Sequence, residues 1–94
     1  MLTMSKIKDK SVDFLFEAIL NLQTLDECYD FFEDLCTVTE IKALSQRISV
    51  AKMLRDKKVY SDIVTETGAS TATISRVSRS INEGFTLAFE RLEK

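Results

Sequence analysis

The chain has 94 residues, 45% apolar and 30% charged, with two glycines and no proline, a composition that excludes a disordered or collagenous chain and fits a helix-rich globular fold. One core is only just sustainable at this length, so a single domain, 1–94, completed by a second copy is expected. A net charge of -2 argues against indiscriminate coating of nucleic acid, and the absence of histidine and of CxxC spacing leaves zinc and dithiol redox chemistry unsupported.

Residues 1–10 read as a charged, mobile lead. Their lysines precede an apolar stretch, Val12 to Leu22, in the manner of a signal peptide, but Asp13 and Glu17 interrupt it and no small-residue cleavage site follows. Export is therefore rejected, a cytoplasmic location is expected, and no stretch approaches the ~20 apolar residues that span a membrane. Ser11 is expected to cap a first helix on which Val12, Leu15, Phe16, Ile19 and Leu22 recur at helical spacing. Phe14, Ala18 and Leu20 widen that face. So broad a stripe belongs either to a deep core helix or to one that buries partly against a partner chain, and the two readings stand equal.

Thr24 and Glu27 form a capping-box pattern that opens a second helix with Leu25, Cys28, Tyr29, Phe31, Phe32 and Leu35 on its apolar side. Cys28 and Cys36, roughly 12 Å apart along one helix, lie beyond disulfide reach and read as buried thiols in a reducing compartment. Thr37 and Glu40 repeat the pattern and open a longer helix through Ile41, Leu44, Ile48, Ala51 and Leu54, stopping near Asp56 to Lys58. Tyr60 to Glu66 forms a short helix with Ile63 and Val64 inward, Gly68 breaks it, and Ser70 caps the next, whose buried side holds Ile74, Val77 and Ile81. Asn82 and Gly84 end that helix, and Phe85, Leu87, Phe89 and Leu92 mark a last amphipathic one. With no strand signal and no internal repeat, the fold class is all-α with about six helices. Residues 11–58 read as dimerisation and central helices, 60–83 as a helix-turn-helix and 84–94 as a C-terminal dimer helix.

Charge divides the chain. Residues 1–40 carry three basic and nine acidic side chains, a net of -6, whereas the remainder carries ten and six, a net of +4. Such asymmetry orients a molecule on a polyanion. The segment YSDIVTETGASTATISRVSRSI, Tyr60 to Ile81, meets the separate demands of a helix-turn-helix: a residue comfortable at positive φ in the turn, and apolar residues on both helices that pack on each other. Its second helix turns outward small, hydrogen-bonding residues, with Ser70, Thr71, Ala72, Thr73 and Ser75 followed by Arg76 and Arg79. No acidic residue lies between Thr67 and Asn82, as expected of a helix that enters the major groove of double-stranded DNA, with hydroxyls and methyls at base edges and arginines on phosphate.

The stretch from Thr37 to Ile81 resembles the Trp repressor family. Thr37, Glu40, Ala43, Leu44 and Arg47 follow its T-x-x-E-x-x-A-L-x-x-R pattern, and Gly68, Ala69, Ala72, Thr73, Ile74, Arg76, Ser78 and Ser80 its G-A-x-x-A-T-I-x-R-x-S-x-S pattern. The variant TGASTATISR at Thr67 to Arg76 is closer still to the YerC/YecD group. The resemblance implies an intertwined all-helical homodimer with two outward reading heads, and a transcriptional regulator, expected to be a repressor, on a palindromic operator. It also implies a ligand pocket at Thr37, Arg47, Arg76 and Ser80. The residue after the second arginine, a glycine in tryptophan-responsive members, is Val77 here. Its branched side chain is expected to fill the slot, so no tryptophan corepressor and no other cofactor is expected, and whether another small effector binds stays open.

The competing reading is a protein-interaction module that docks on the transcription machinery without reading DNA. An enzyme is not expected, because no histidine, no phosphate-cradling glycine loop and no nucleophile beside a base is found.

Overall fold

A computed structural model describes residues 8–93. Among them are six helices and no strand: α1 (Lys10–Leu20), α2 (Leu25–Leu35), α3 (Val38–Arg55), α4 (Tyr60–Thr67), α5 (Thr71–Ser80) and α6 (Glu83–Leu92). Most of the expected mobile lead, residues 1–7, lies outside the described residues. The chain divides into two compact units, the first ending at Thr37.

In the first unit the cap of α1 is Asp9 rather than Ser11. The Asp9 carboxylate accepts from the Val12 N–H at 2.8 Å, and a carboxylate at this end also favours the helix dipole. The cap of α2 is Thr24 as expected, its hydroxyl accepting from the Glu27 N–H at 3.0 Å. The Glu27 carboxylate closes the box from the other side on the Gln23 N–H at 2.8 Å. Neither helix buries a residue: Phe14 and Leu25 are each 74% exposed and Leu20 82%. Cys28 and Cys36 are free thiols, half-buried rather than buried.

In the second unit α3, α4 and α5 pack on one another around Val50, Ala51, Ile63, Ala69, Ile74, Val77 and Phe89. The helical stripe expected along α3 divides. Its C-terminal half supplies Val50 and Ala51 to the core with Met53 and Leu54 against it, while Leu44 and Ile48 stay nearly half exposed. No helix is long and apolar enough to cross a membrane among the described residues. The turn from α5 to α6 also differs from expectation. Ile81 ends α5 in an extended conformation, Asn82 begins α6, and Gly84 lies inside α6.

Helix α6 is held to the end of α3 by aromatic packing and charge. Phe89 enters the core and stacks on Phe85 with ring centroids 5.8 Å apart. The Arg55 guanidinium lies 5.9 Å over the Phe89 ring, and both Arg55 and Lys52 reach Glu93, at 3.5 and 3.7 Å. Lys52 also pairs with Asp56 at 2.8 Å. The hydrogen bond from Lys52 holds the Asp56 carboxyl below its ordinary range and raises the ammonium in return. The pair thus contributes above the ordinary aspartate range and is lost as pH falls through the lowered value. Exposed pairs of this kind contribute little beyond orientation.

A Schellman motif ends α3. The Lys58 N–H donates to the Met53 carbonyl and the Lys57 N–H to the Leu54 carbonyl, each at 3.0 Å. Lys57 sits at φ 63°, where its Cβ is strained and glycine is the usual occupant. Lys57→Gly should therefore stabilise the protein by about 1 kcal/mol, read as a raised midpoint of urea unfolding with an unchanged slope.

Candidate nucleic-acid interface

The turn between α4 and α5 is built around the peptide unit that joins Thr67 to Gly68. Gly68 adopts φ 73° and ψ 4°, the left-handed conformation expected of it. A Cβ built there would meet nothing within 4 Å, so the demand for glycine is conformational rather than steric. The Gly68 N–H donates to the Val64 carbonyl at 2.9 Å. At the other end of the same peptide unit, the Thr67 carbonyl accepts from Gln46 Nε2 of α3 at 3.2 Å. The Thr67 hydroxyl donates to the Ile63 carbonyl at 2.7 Å and accepts from the Ala69 N–H at 3.1 Å. The polar groups of a tight reversal are thereby satisfied while Ala69 itself is buried.

Ser70 caps α5, its Oγ accepting from the Thr73 N–H and donating to the Thr73 hydroxyl, both at 3.1 Å. Beyond the cap, Ile74 and Val77 point into the core, and the residues between them face away. Thr71, Ala72, Arg76 and Arg79 are exposed, and Thr73 and Ser75 are half-buried. The outward edge near the helix N-terminus is thus formed chiefly by Thr71 and Ala72, because the hydroxyls of Ser70 and Thr73 already bond each other. The first turn of α5 holds no acidic residue and its last turn holds Arg79. An anion approaching this end meets the positive pole of the helix.

Cations in this unit fall into two sets. Lys52 and Arg55 are engaged by Asp56 and Glu93. Among the described residues Lys42, Arg47, Lys57, Lys58, Arg76, Arg79 and Arg91 enter no ion pair in this unit and are exposed, with Lys58 near enough to Asp56 to help lower its carboxyl.

Of the residues expected to line a ligand pocket, Arg47, Arg76 and Ser80 are exposed, and the Ser80 hydroxyl donates to the Arg76 carbonyl at 2.9 Å. Thr37 lies in the other unit, one residue before α3. Val77 is only 5% exposed and belongs to the core with Val50, Ala51, Ile63 and Ile74. An open cleft on α3 is lined instead by Lys42, Gln46, Ser49, Thr67, Phe89 and neighbouring residues. Gln46 was not anticipated from sequence, since nothing local marks a glutamine on a helix as the donor to a carbonyl 21 residues away.

Comparison with known proteins agrees with this architecture. Residues 10–93 match the family model described as Trp repressor protein. The chain is 52% identical over 92 residues to the uncharacterized protein YerC of Bacillus subtilis (strain 168), covering 95% of this chain and 88% of that one. It superposes with a TM-score of 0.90 on the crystal structure of a TrpR-like protein from Eubacterium eligens, at 59% identity and with 94% of each chain covered.

Gly68→Ala should cost about 1–2 kcal/mol, because alanine pays for the left-handed backbone that glycine adopts freely. Chemical denaturation checks it. A cost near zero would mean that the turn accepts another conformation.

Proposed function

The chain belongs to the Trp repressor family, in its YerC group, and on that premise we propose that it is a sequence-specific, DNA-binding transcriptional repressor that reads a palindromic operator through α5. The observation that carries this reading is the outer face of α5, which is exposed, free of acid, small at its leading end and flanked by the unpaired Arg76 and Arg79. Thr71 and Ala72 come nearest to base edges, offering a hydroxyl and methyl groups in the major groove. Ser70, Thr73 and Ser75 support that edge, and Arg76 and Arg79 hold phosphate. No catalytic step and no metal enters this function.

The protein acts as a homodimer in the cytoplasm. Support comes from apolar side chains that one chain leaves in water, Phe14, Leu20, Leu25, Leu44, Ile48 and Leu92 among them. Surface of this kind marks an interface. Two heads on a two-fold axis lie one DNA turn apart, about 34–36 Å, so each meets a half-site on the same face of the duplex. The net charge of -6 over residues 1–40 and +4 over the remainder favours the basic part of the chain as the one that meets phosphate.

Tryptophan is not the corepressor in this reading. The resemblance places the slot for the indole at residue 77, and the burial of the branched Val77 in the core supports the reading that the slot is filled. Arg47 and Arg76 then remain free for phosphate.

Selection from random duplexes should enrich a palindrome with half-sites one turn apart. Binding to it should weaken by orders of magnitude between ~50 and ~200 mM salt, and Arg79→Ala should reduce the salt slope by about one without changing the enriched sequence. A salt-independent shift, or no enriched sequence, would overturn the reading. In calorimetry the wild type should show no heat with tryptophan whereas Val77→Gly should show some; tight binding by the wild type would refute the filled slot.

A further inference from the structure

We propose that Gln46 is a positioning residue for sequence reading, a clamp on α3 that sets the direction of α5 by holding the Thr67–Gly68 peptide plane. The inference rests on the DNA-reading function above. That plane is pinned at both ends: its N–H by the Val64 carbonyl at 2.9 Å, within the α4 segment, and its carbonyl by Gln46 Nε2 at 3.2 Å, from another helix. The two bonds fix the orientation of that plane and so the values of ψ at Thr67 and φ at Gly68; a change in either torsion that the other does not cancel redirects every atom from Ala69 onward.

Apolar packing through Val50, Ala51, Ile63, Ile74 and Val77 decides which side of α5 faces in and how closely α3, α4 and α5 approach, but the hydrophobic driving force is itself non-directional. A hydrogen bond has a preferred angle. Among the described residues, the Gln46 bond is the one side-chain hydrogen bond that runs from α3 to the α4–α5 turn. It is half-buried, and it satisfies a carbonyl at the end of α4 that has no partner within its own helix.

The lever is long enough to matter. Helix α5 has 10 residues, roughly 15 Å of rise, so a rotation of about 10° at the turn displaces its far end by about 2.5 Å. Thr71 lies three residues beyond the pivot, on the order of 6–10 Å, so the same rotation moves the base-facing edge by about 1–1.5 Å, more than the ~0.5 Å that such a site tolerates. Long arginine side chains on phosphate absorb the larger displacement toward the far end. Loss of the clamp should therefore erode discrimination between sequences and spare general affinity for DNA.

The test uses the full chain with Gln46→Met, which keeps the length of the side chain and removes its donor, and Gln46→Lys, which keeps a donor. Gln46→Met should lower the ratio of affinities for the selected palindrome and a shuffled duplex by about tenfold, the worth of one hydrogen bond. Binding to the shuffled duplex and its salt slope should not change, and hydrogen exchange at the Gly68 and Ala69 amides should quicken. Gln46→Lys should recover most of the ratio. Wild-type values of ratio and exchange in Gln46→Met, an equal loss of affinity for both duplexes, or no recovery in Gln46→Lys would overturn the proposal. A wild-type protein with no duplex preference would instead overturn the DNA reading, and amide exchange in Gln46→Met would then uphold or overturn the clamp by itself.

Discussion

The reversal of the chain at Gly68 governs the second unit, because α4 and α5 can both lay their apolar sides on the Val50–Ala51 segment of α3 only if the backbone turns within the three residues Gly68 to Ser70. That turn needs a left-handed residue, partners for its polar backbone groups and a cap for the helix that follows. Gly68, Thr67 and Ser70 meet the three needs in order. With Ile63, Ile74 and Val77 directed inward, the periodicity of α5 compels Thr71, Ala72, Arg76 and Arg79 to face out. The exposed edge is in this sense a consequence of the core.

Division of charge follows the division of labour. The cations nearest the junction of α3 and α6 are spent on Asp56 and Glu93, where they help to hold Phe89 in place. Arg76 and Arg79 on α5 enter no ion pair among the described residues, which leaves their charge to attract a polyanion. Lys57 carries a cost, backbone strain in a position suited to glycine.

How much of this was legible depends on range in sequence. Patterns closed within a few residues could be read correctly: the Thr24 and Glu27 cap, the left-handed Gly68, the Ser70 cap, and the inward set Ile63, Ile74 and Val77. Local competition is harder to judge: the cap expected at Ser11 is Asp9, and Gly84, expected at a helix end, lies within α6. The stripe on α3 was visible as a period, but a period does not say where along the helix a neighbour lies, and only its C-terminal half is covered within the chain. The same holds for the outward edge of α5. Thr73 is as polar as Thr71 in sequence, yet its hydroxyl is engaged by Ser70.

By itself the sequence determined the helical class, the family, the place of the turn and the absence of acid along α5, because each depends on residue type and on spacing within one or two helical turns. Tertiary structure alone decided that Lys52 and Arg55 are paired while Arg76 and Arg79 enter no ion pair among the described residues, and that Gln46 reaches the turn. Those are meetings between residues far apart in the chain, and a linear pattern carries no distance until the helices have packed.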